Sequence, residues 1–148
     1  MEPMKLLVQV WLFNFNLQIN TTGQKLYEFT SESINWININ KFKSGILNLS
    51  IQHTSASLIV QENADPDVKT DLLKYFDKLA PMDKNLYTHN AEGKDDMPAH
   101  IKSALTNNQI TFSVKNGKLL MGTWQGIYLF EHRISPNIRT VIHHFIGD

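Results

Sequence analysis

The dipeptide Asn116-Gly117, standing between QITFSV and KLLMG, constrains the fold more than any other feature of the chain. Both residues tolerate positive φ, so the pair predicts a type I′ turn joining two neighbouring antiparallel strands. GIYLFEHRI and IRTVIHHFI follow as further strand-like runs rich in β-branched and aromatic residues. Towards the other end, Leu6 to Ile19 is partly alternating and predicts a long strand closing at a turn over Asn20 to Gly23. After Gly45, ILNLSIQH and SLIVQE read as two short strands or one bent strand.

Helices punctuate these strands. Asp65 is placed as an N-cap, Pro66 at the first helical position and Asp67 in the first turn against the positive end of the dipole. Val68, Leu72, Phe76 and Leu79 then recur at helical spacing until Pro81. Thr30 and Ser31 offer a cap for a helix over roughly Glu32 to Phe42, with Gly45 as its stop, and Pro98 opens a short helix, PAHIKSAL. Antiparallel strands with helices to one side define an α+β domain. At 148 residues the chain is expected to form one such domain across its length, mainly antiparallel sheet with a few helices packed on it.

Composition excludes several function classes. The 14 basic and 14 acidic side chains cancel, and no run of Lys or Arg provides a footprint for a phosphate backbone, so nucleic acid is not an expected partner. The opening MEPMKLLVQVWLFNFN has the look of a signal peptide, but Gln9 interrupts its apolar run and no small-x-small site follows, so it reads as a strand. It falls far short of the ~20 apolar residues that cross a bilayer. The absence of cysteine suits a reducing compartment, and a cytoplasmic protein is expected. Without cysteine, any metal must be held by His, Asp, Glu or carbonyl groups.

Three histidines carry the chemistry: His53 at a strand end, His89 in the long stretch from Met82 to Asp96, and His100 in the first turn of the short helix. Neutral imidazoles from three separate elements suit a pre-organised metal site, although their spacing matches no compact zinc signature and three independent surface histidines remain an alternative. Capping accounts for Asp65 and Asp67 but leaves Glu62 and Asn63 unexplained. GTWQG, residues 122 to 126, either lets backbone approach a ligand or marks a bulge beside a buried Trp124. Lys102 and Arg139 could bind phosphate or simply be solvated. In a strand, His143 and His144 must point to opposite faces.

HTSASLIVQENADPDVKTDL, YTHNAEGKDDMPAHIKSAL and GKLLMGTWQGIYLFEHR, in that order, closely resemble the YjbQ-like family, also called secondary thiamine-phosphate synthases. The resemblance runs from about Gly45 to the C-terminus. It implies a small α+β protein, usually a homotrimer, with a polar pocket and a divalent metal, Zn²⁺ or Mg²⁺. The family's histidines fall on His53, His89 and His100, its N-A-D run on Asn63 and Asp65, its E-G pair on Glu92 and Gly93, and its G-T-W-Q on Trp124 and Gln125. His53, His89, His100, Asn63 and Glu92 are thereby implied as catalytic, with the three histidines also as metal ligands. Lys102, Trp124, Gln125, Asp65 and Arg139 are implied as substrate-binding.

On this resemblance His53 and the turn from Glu62 to Asp65 form two walls of one site. The implied activity joins hydroxymethylpyrimidine diphosphate to a thiazole phosphate with release of pyrophosphate. Lys102 and Arg139, with the metal, would hold the diphosphate while Trp124 stacks on the pyrimidine. The alternatives are a histidine-site metal-dependent hydrolase and a non-enzymatic trimer that binds a small ligand or a metal.

Overall fold

The computed structural model describes residues 11–148. The part of the expected first strand that precedes Trp11, and the reading of the first ten residues, lie outside the described residues. The strands form two sheets. One has five strands in the order β1 (Trp11–Thr21), β8 (Asn137–Gly147), β3 (Gly45–Ile51), β5 (Gln109–Lys115) and β6 (Lys118–Leu119). The other has three, β2 (Lys25–Glu28), β7 (Gln125–Glu131) and β4 (Ala56–Glu62). Every named pairing is antiparallel, as the hairpin signal at Asn116-Gly117 implied. Asn116 and Gly117 take φ of 51° and 73°, the left-handed values a type I′ turn demands.

Alternation along the strands builds the core. Leu47, Leu49, Phe112, Val141 and Phe145 of the larger sheet meet Leu58, Ile127 and Leu129 of the smaller one, with Phe29, Ile37 and Phe42 closing the side. The helix α1 (Thr30–Asn40) contributes Ile37 and Ser33 to this interior. It starts two residues earlier than its sequence suggests because Thr30 does not cap it. The Thr30 hydroxyl instead donates to Glu28 and accepts the Ile127 N–H, tying the helix start to β7. Its end is Lys41 in the left-handed region, φ 56°, ahead of the expected stop at Gly45.

The helix α2 (Pro66–Leu79) follows its capping signals: the Asp65 carboxylate accepts the Asp67 N–H at 2.9 Å, with Pro66 in the first turn. It lies on the outer face of the smaller sheet, where Leu72, Leu73 and Phe76 pack on Leu26, Tyr128 and Phe130. Leu79, expected on the buried face, is half exposed. Among the described residues no helix is long and apolar enough to cross a membrane.

Two features of the fold position the site. The segments ILNLSIQH and SLIVQE are separate strands in different sheets, so residues 52–55 carry the chain from one layer to the other with His53 in the crossing. The helix α3 (Asp96–Ala104) begins two residues before Pro98, which sits in its first turn where a missing N–H costs nothing. That early start places Asp96 and His100 one turn apart on the same helix.

Candidate metal centre

Helical periodicity stacks residues four apart on one face, and α3 uses it to set Asp96 beneath His100. The loop before α3 folds back through a short 3₁₀ turn, Lys84–Leu86, and brings His89 to the same spot. His89 Nε2 lies 2.7 Å from Asp96 Oδ2, and His100 Nε2 lies 3.5 Å from that same oxygen. One ligand atom from each of these three residues falls within 4.8 Å of the other two. The imidazole rings of His89 and His100 are 5.6 Å apart.

The surroundings orient these atoms, and His89 Nε2 donates to Asp96 Oδ2, a proton that a metal ion would displace. Arg133, just past β7, donates through its terminal nitrogen to Asp96 Oδ1, through Nε to Asp95 Oδ2 at 2.9 Å, and to the Glu92 carbonyl. With Oδ1 engaged, Oδ2 of the buried Asp96 is the oxygen turned to the imidazoles. His100 Nδ1 is 3.0 Å from the Thr54 carbonyl, which can only accept, so Nδ1 carries a proton and Nε2 is the nitrogen turned to Asp96. A carbonyl behind one ring nitrogen is the usual way to orient an imidazole ligand. Burial raises the Asp95 carboxyl, but the Ile134 N–H and the Arg133 guanidinium outweigh it and hold the group below the usual range.

Beside His100 opens a cavity of about 400 Å³ lined by His53, Thr54, His100, Ser103, Ala104, Thr106 and Asn108. His53 is therefore at the cavity but outside the metal-ligating group: its Nε2 accepts the backbone N–H of Thr140 at 3.1 Å. Burial, with Arg139 behind it, lowers the His53 pKa and keeps the ring neutral.

Residues 15–148 match the family described as UPF0047 protein YjbQ-like. The chain belongs to this family. It is 48% identical over 132 residues to the UPF0047 protein sll1880 of Synechocystis sp., covering 89% of this chain and 90% of that relative. It is 39% identical over 127 residues to the UPF0047 protein YjbQ of Escherichia coli O157:H7, covering 85% and 91% of the two chains. A crystal structure of a YjbQ/UPF0047 protein from Clostridium acetobutylicum superposes with a TM-score of 0.76 at 32% identity, covering 88% of this chain and 97% of that one. A Sulfolobus solfataricus P2 structure reaches 0.87 over 95% and 100% of the chains, and at 20% identity that likeness speaks to the fold alone.

Other residues implied as functional in this YjbQ-like chain fall elsewhere. Lys102 is fully buried, with Nζ 2.5 Å from Asp77 of α2, so it does not line the cavity. Arg139 is buried in a forked pair with Glu131, Nη2 to Oε1 at 2.6 Å and Nε to Oε2 at 2.7 Å, and also donates to Ser55 Oγ. Glu131 further accepts from Thr21. These two cations neutralise carboxylates and do not face the cavity.

The second wall also moves. Glu62 pairs with Gln125 at one end of the β4–β7 ladder, whereas Ala56, next to the crossing, pairs with Glu131 at the other. Six residue steps of about 3.4 Å separate those ends by about 20 Å. Asn63, Asp65, Trp124 and Gln125 thus stand apart from the histidines within one chain. Asn63 donates its N–H to the Trp124 carbonyl, the Gln125 side chain accepts the Gly122 N–H, and Trp124 is 64% exposed, not buried beside a bulge.

Sequence reasoning missed Asp96 and Arg133. The Asp96-Met-Pro-Ala-His100 spacing was the available signal for the first. Arg133, 37 residues away from Asp96, left none.

Proposed function

We propose that the chain is a metal-dependent enzyme acting on a small polar substrate, with His89 Nε2, His100 Nε2 and Asp96 Oδ2 as the ligands. The observation that carries this reading is Arg133 on Asp96 Oδ1, which leaves Oδ2 facing two imidazole nitrogens, one of them oriented by Thr54. Two imidazoles and one carboxylate suit Zn²⁺, Mn²⁺ or Fe²⁺ better than Mg²⁺, which prefers oxygen ligands. When bound, such an ion supplies Lewis acidity and lowers the pKa of water. Hydrolysis is the reaction class this supports best.

The chain's own groups divide the remaining work. Arg133 and Thr54 hold the ligands in place, and the open, mainly polar cavity beside His100 gives a substrate access to them. Glu92, three residues past His89, is exposed and joins the centre here only through its backbone carbonyl, which accepts from Arg133; the family's E-G motif is what supports its side chain as the group that would accept a proton from water. On this reading chelation abolishes turnover and Zn²⁺ or Mn²⁺ restores it, while Glu92→Gln lowers kcat and keeps its metal. Full activity in the chelated protein would overturn the proposal.

Formation of thiamine phosphate is a second reading, supported by the three family motifs present in order. The same ion would then neutralise the leaving diphosphate, without Lys102 or Arg139. Pyrophosphate release from the two substrates, measured against Asp96→Asn, decides between the readings. A homotrimer belongs with either, because it offers a route by which Trp124 and Asn63 of one copy could reach the histidines of another. Light scattering that shows a monomer would remove that arrangement.

A further inference from the structure

We propose that Glu131 is a positioning residue for the metal centre: one buried carboxylate fixes the outer partners of both Asp96 and His100. This inference rests on the metal reading above and adds the group that holds its geometry.

Glu131 ends β7 and is fully buried. An ionised carboxylate offers about four acceptor positions, and here they are all taken. Oε1 accepts from Arg139 Nη2 at 2.6 Å and from the Arg133 backbone N–H at 3.0 Å. Oε2 accepts from Arg139 Nε at 2.7 Å and from the Thr21 hydroxyl at 2.9 Å. Arg133 and Arg139 lead from this carboxylate to the centre by separate routes.

The shorter route runs through Arg133. Its backbone N–H on Glu131 fixes where the side chain starts, and its guanidinium then reaches Asp96 Oδ1, Asp95 Oδ2 and the Glu92 carbonyl. The Asp96 carboxylate therefore takes its aim from a side chain whose root is bonded to Glu131. The contact with Glu92 extends the same hold to the loop that carries His89.

The longer route runs through Arg139. Gripped by its fork on Glu131, Arg139 donates through Nη2 to Ser55 Oγ at 3.0 Å and to the Ser55 carbonyl at 3.4 Å. The next residue of β8, Thr140, donates its N–H to His53 Nε2 at 3.1 Å. Thr54 is thus held through both its neighbours, and its carbonyl is the one that accepts from His100 Nδ1. Turning the peptide between Thr54 and Ser55 requires Ser55 to leave Arg139.

A purely structural ion pair would join β7 to β8, which lie in different sheets, and end there. From Glu131 two branches continue and meet again one turn apart on α3, at Asp96 and His100.

Glu131→Gln replaces one carboxylate oxygen with an NH₂ group, which in either orientation faces an Arg139 N–H, so the fork opens. Ser55→Ala weakens the longer route alone and removes no charge. Ile37→Ala weakens the core from α1, which supplies no residue to the centre, and serves as the control for lost stability. Competitive Co²⁺ titration gives metal affinity, and ¹⁵N spectra of Zn²⁺-loaded protein follow the His100 Nδ1–H. Co²⁺ affinity should fall about tenfold in Glu131→Gln, the lower end for loss of an outer partner. It should fall about threefold in Ser55→Ala, as for one weak hydrogen bond. In both variants the His100 signal should move towards that of a hydrated ring N–H, and Ile37→Ala should change neither reading. Unchanged Co²⁺ affinity with an unmoved His100 signal in folded Glu131→Gln overturns the inference, as does an equal loss of affinity in Ile37→Ala. Should Glu131→Gln fail to fold, Ser55→Ala decides by the same two readings. These outcomes leave the metal reading standing, whereas failure of the wild-type protein to bind either ion overturns both.

Discussion

Arg133 and Asp96 stand 37 residues apart in the chain, yet the guanidinium of one selects which oxygen of the other faces His89 and His100. Arg133→Gln therefore loosens the carboxylate without removing a ligand. Loss of such an outer partner lowers metal affinity about 10- to 100-fold. Asp96→Asn, which removes the charge itself, should lower it further. Competitive zinc titration against a chromophoric chelator measures both, and equal affinities in wild type and Arg133→Gln would refute the assignment.

Glu131→Gln tests the role of Arg139. The carboxylate is fully buried and holds Arg139 in two bonds, with Thr21 and the Arg133 N–H on its remaining lone pairs. Neutralising one partner of a buried pair leaves the other charge uncompensated, at a cost of about 3–5 kcal/mol. Urea unfolding of the variant should show that loss, and a change below 1 kcal/mol would mean the pair is effectively solvated.

Lys102→Met separates structure from substrate binding. Methionine retains much of the buried stem and removes the ammonium from Asp77, which is half exposed and can hydrate once released. Replacement of a buried ion by an apolar group of similar size is often close to neutral. Stability should stay within about 1 kcal/mol, and metal and ligand affinities should not move. A loss of ligand binding in folded Lys102→Met would return Lys102 to the site.

Acid should unfold the protein through two buried histidines. Burial pushes His132 down to about 3 and His143 down to about 4, and each ring nitrogen Nε2 is 2.8 Å from a buried serine hydroxyl, Ser57 and Ser33 respectively. Both rings are neutral in the folded state and titrate near 6.5 when unfolded. The unfolded chain thus binds more protons below that pH, and stability falls as pH drops from about 6.5 towards 4. Each histidine contributes a slope approaching about 1.4 kcal/mol per pH unit. Chemical denaturation at pH 7.5, 6 and 5 measures it, and His143→Gln should flatten the curve.

Local signals in the sequence were sufficient where the physics is local. The Asn116-Gly117 turn and the Asp65-Pro66 cap depend on neighbouring residues alone, and both elements form as those residues dictate. The opposite faces of His143 and His144 follow from strand pleating, with His143 in the interior beside Ser33. Thr30 shows the limit: its hydroxyl has two partners from other elements, and capping loses to them. The candidate site was legible only in part for the same reason. His89 and His100 meet, but which carboxylate joins them, and which cations are already paired, depend on contacts between distant segments. Lys102 and Arg139 look like phosphate ligands in one dimension because nothing adjacent to them reveals Asp77 or Glu131.

Residues 52–55 have a mechanical consequence. His53 and Thr54 belong to the only stretch linking β3 to β4, and the helix they meet across the cavity is packed against β4. A molecule held between that stretch and α3 fastens the two layers at their seam, so sliding of one over the other must first expel it. Occupancy is then convertible into melting temperature: any compound that seats there raises the transition in proportion to the logarithm of its concentration over its Kd. The fold thus serves as its own reporter, and a thermal-shift screen can find the natural ligand without an assay for turnover.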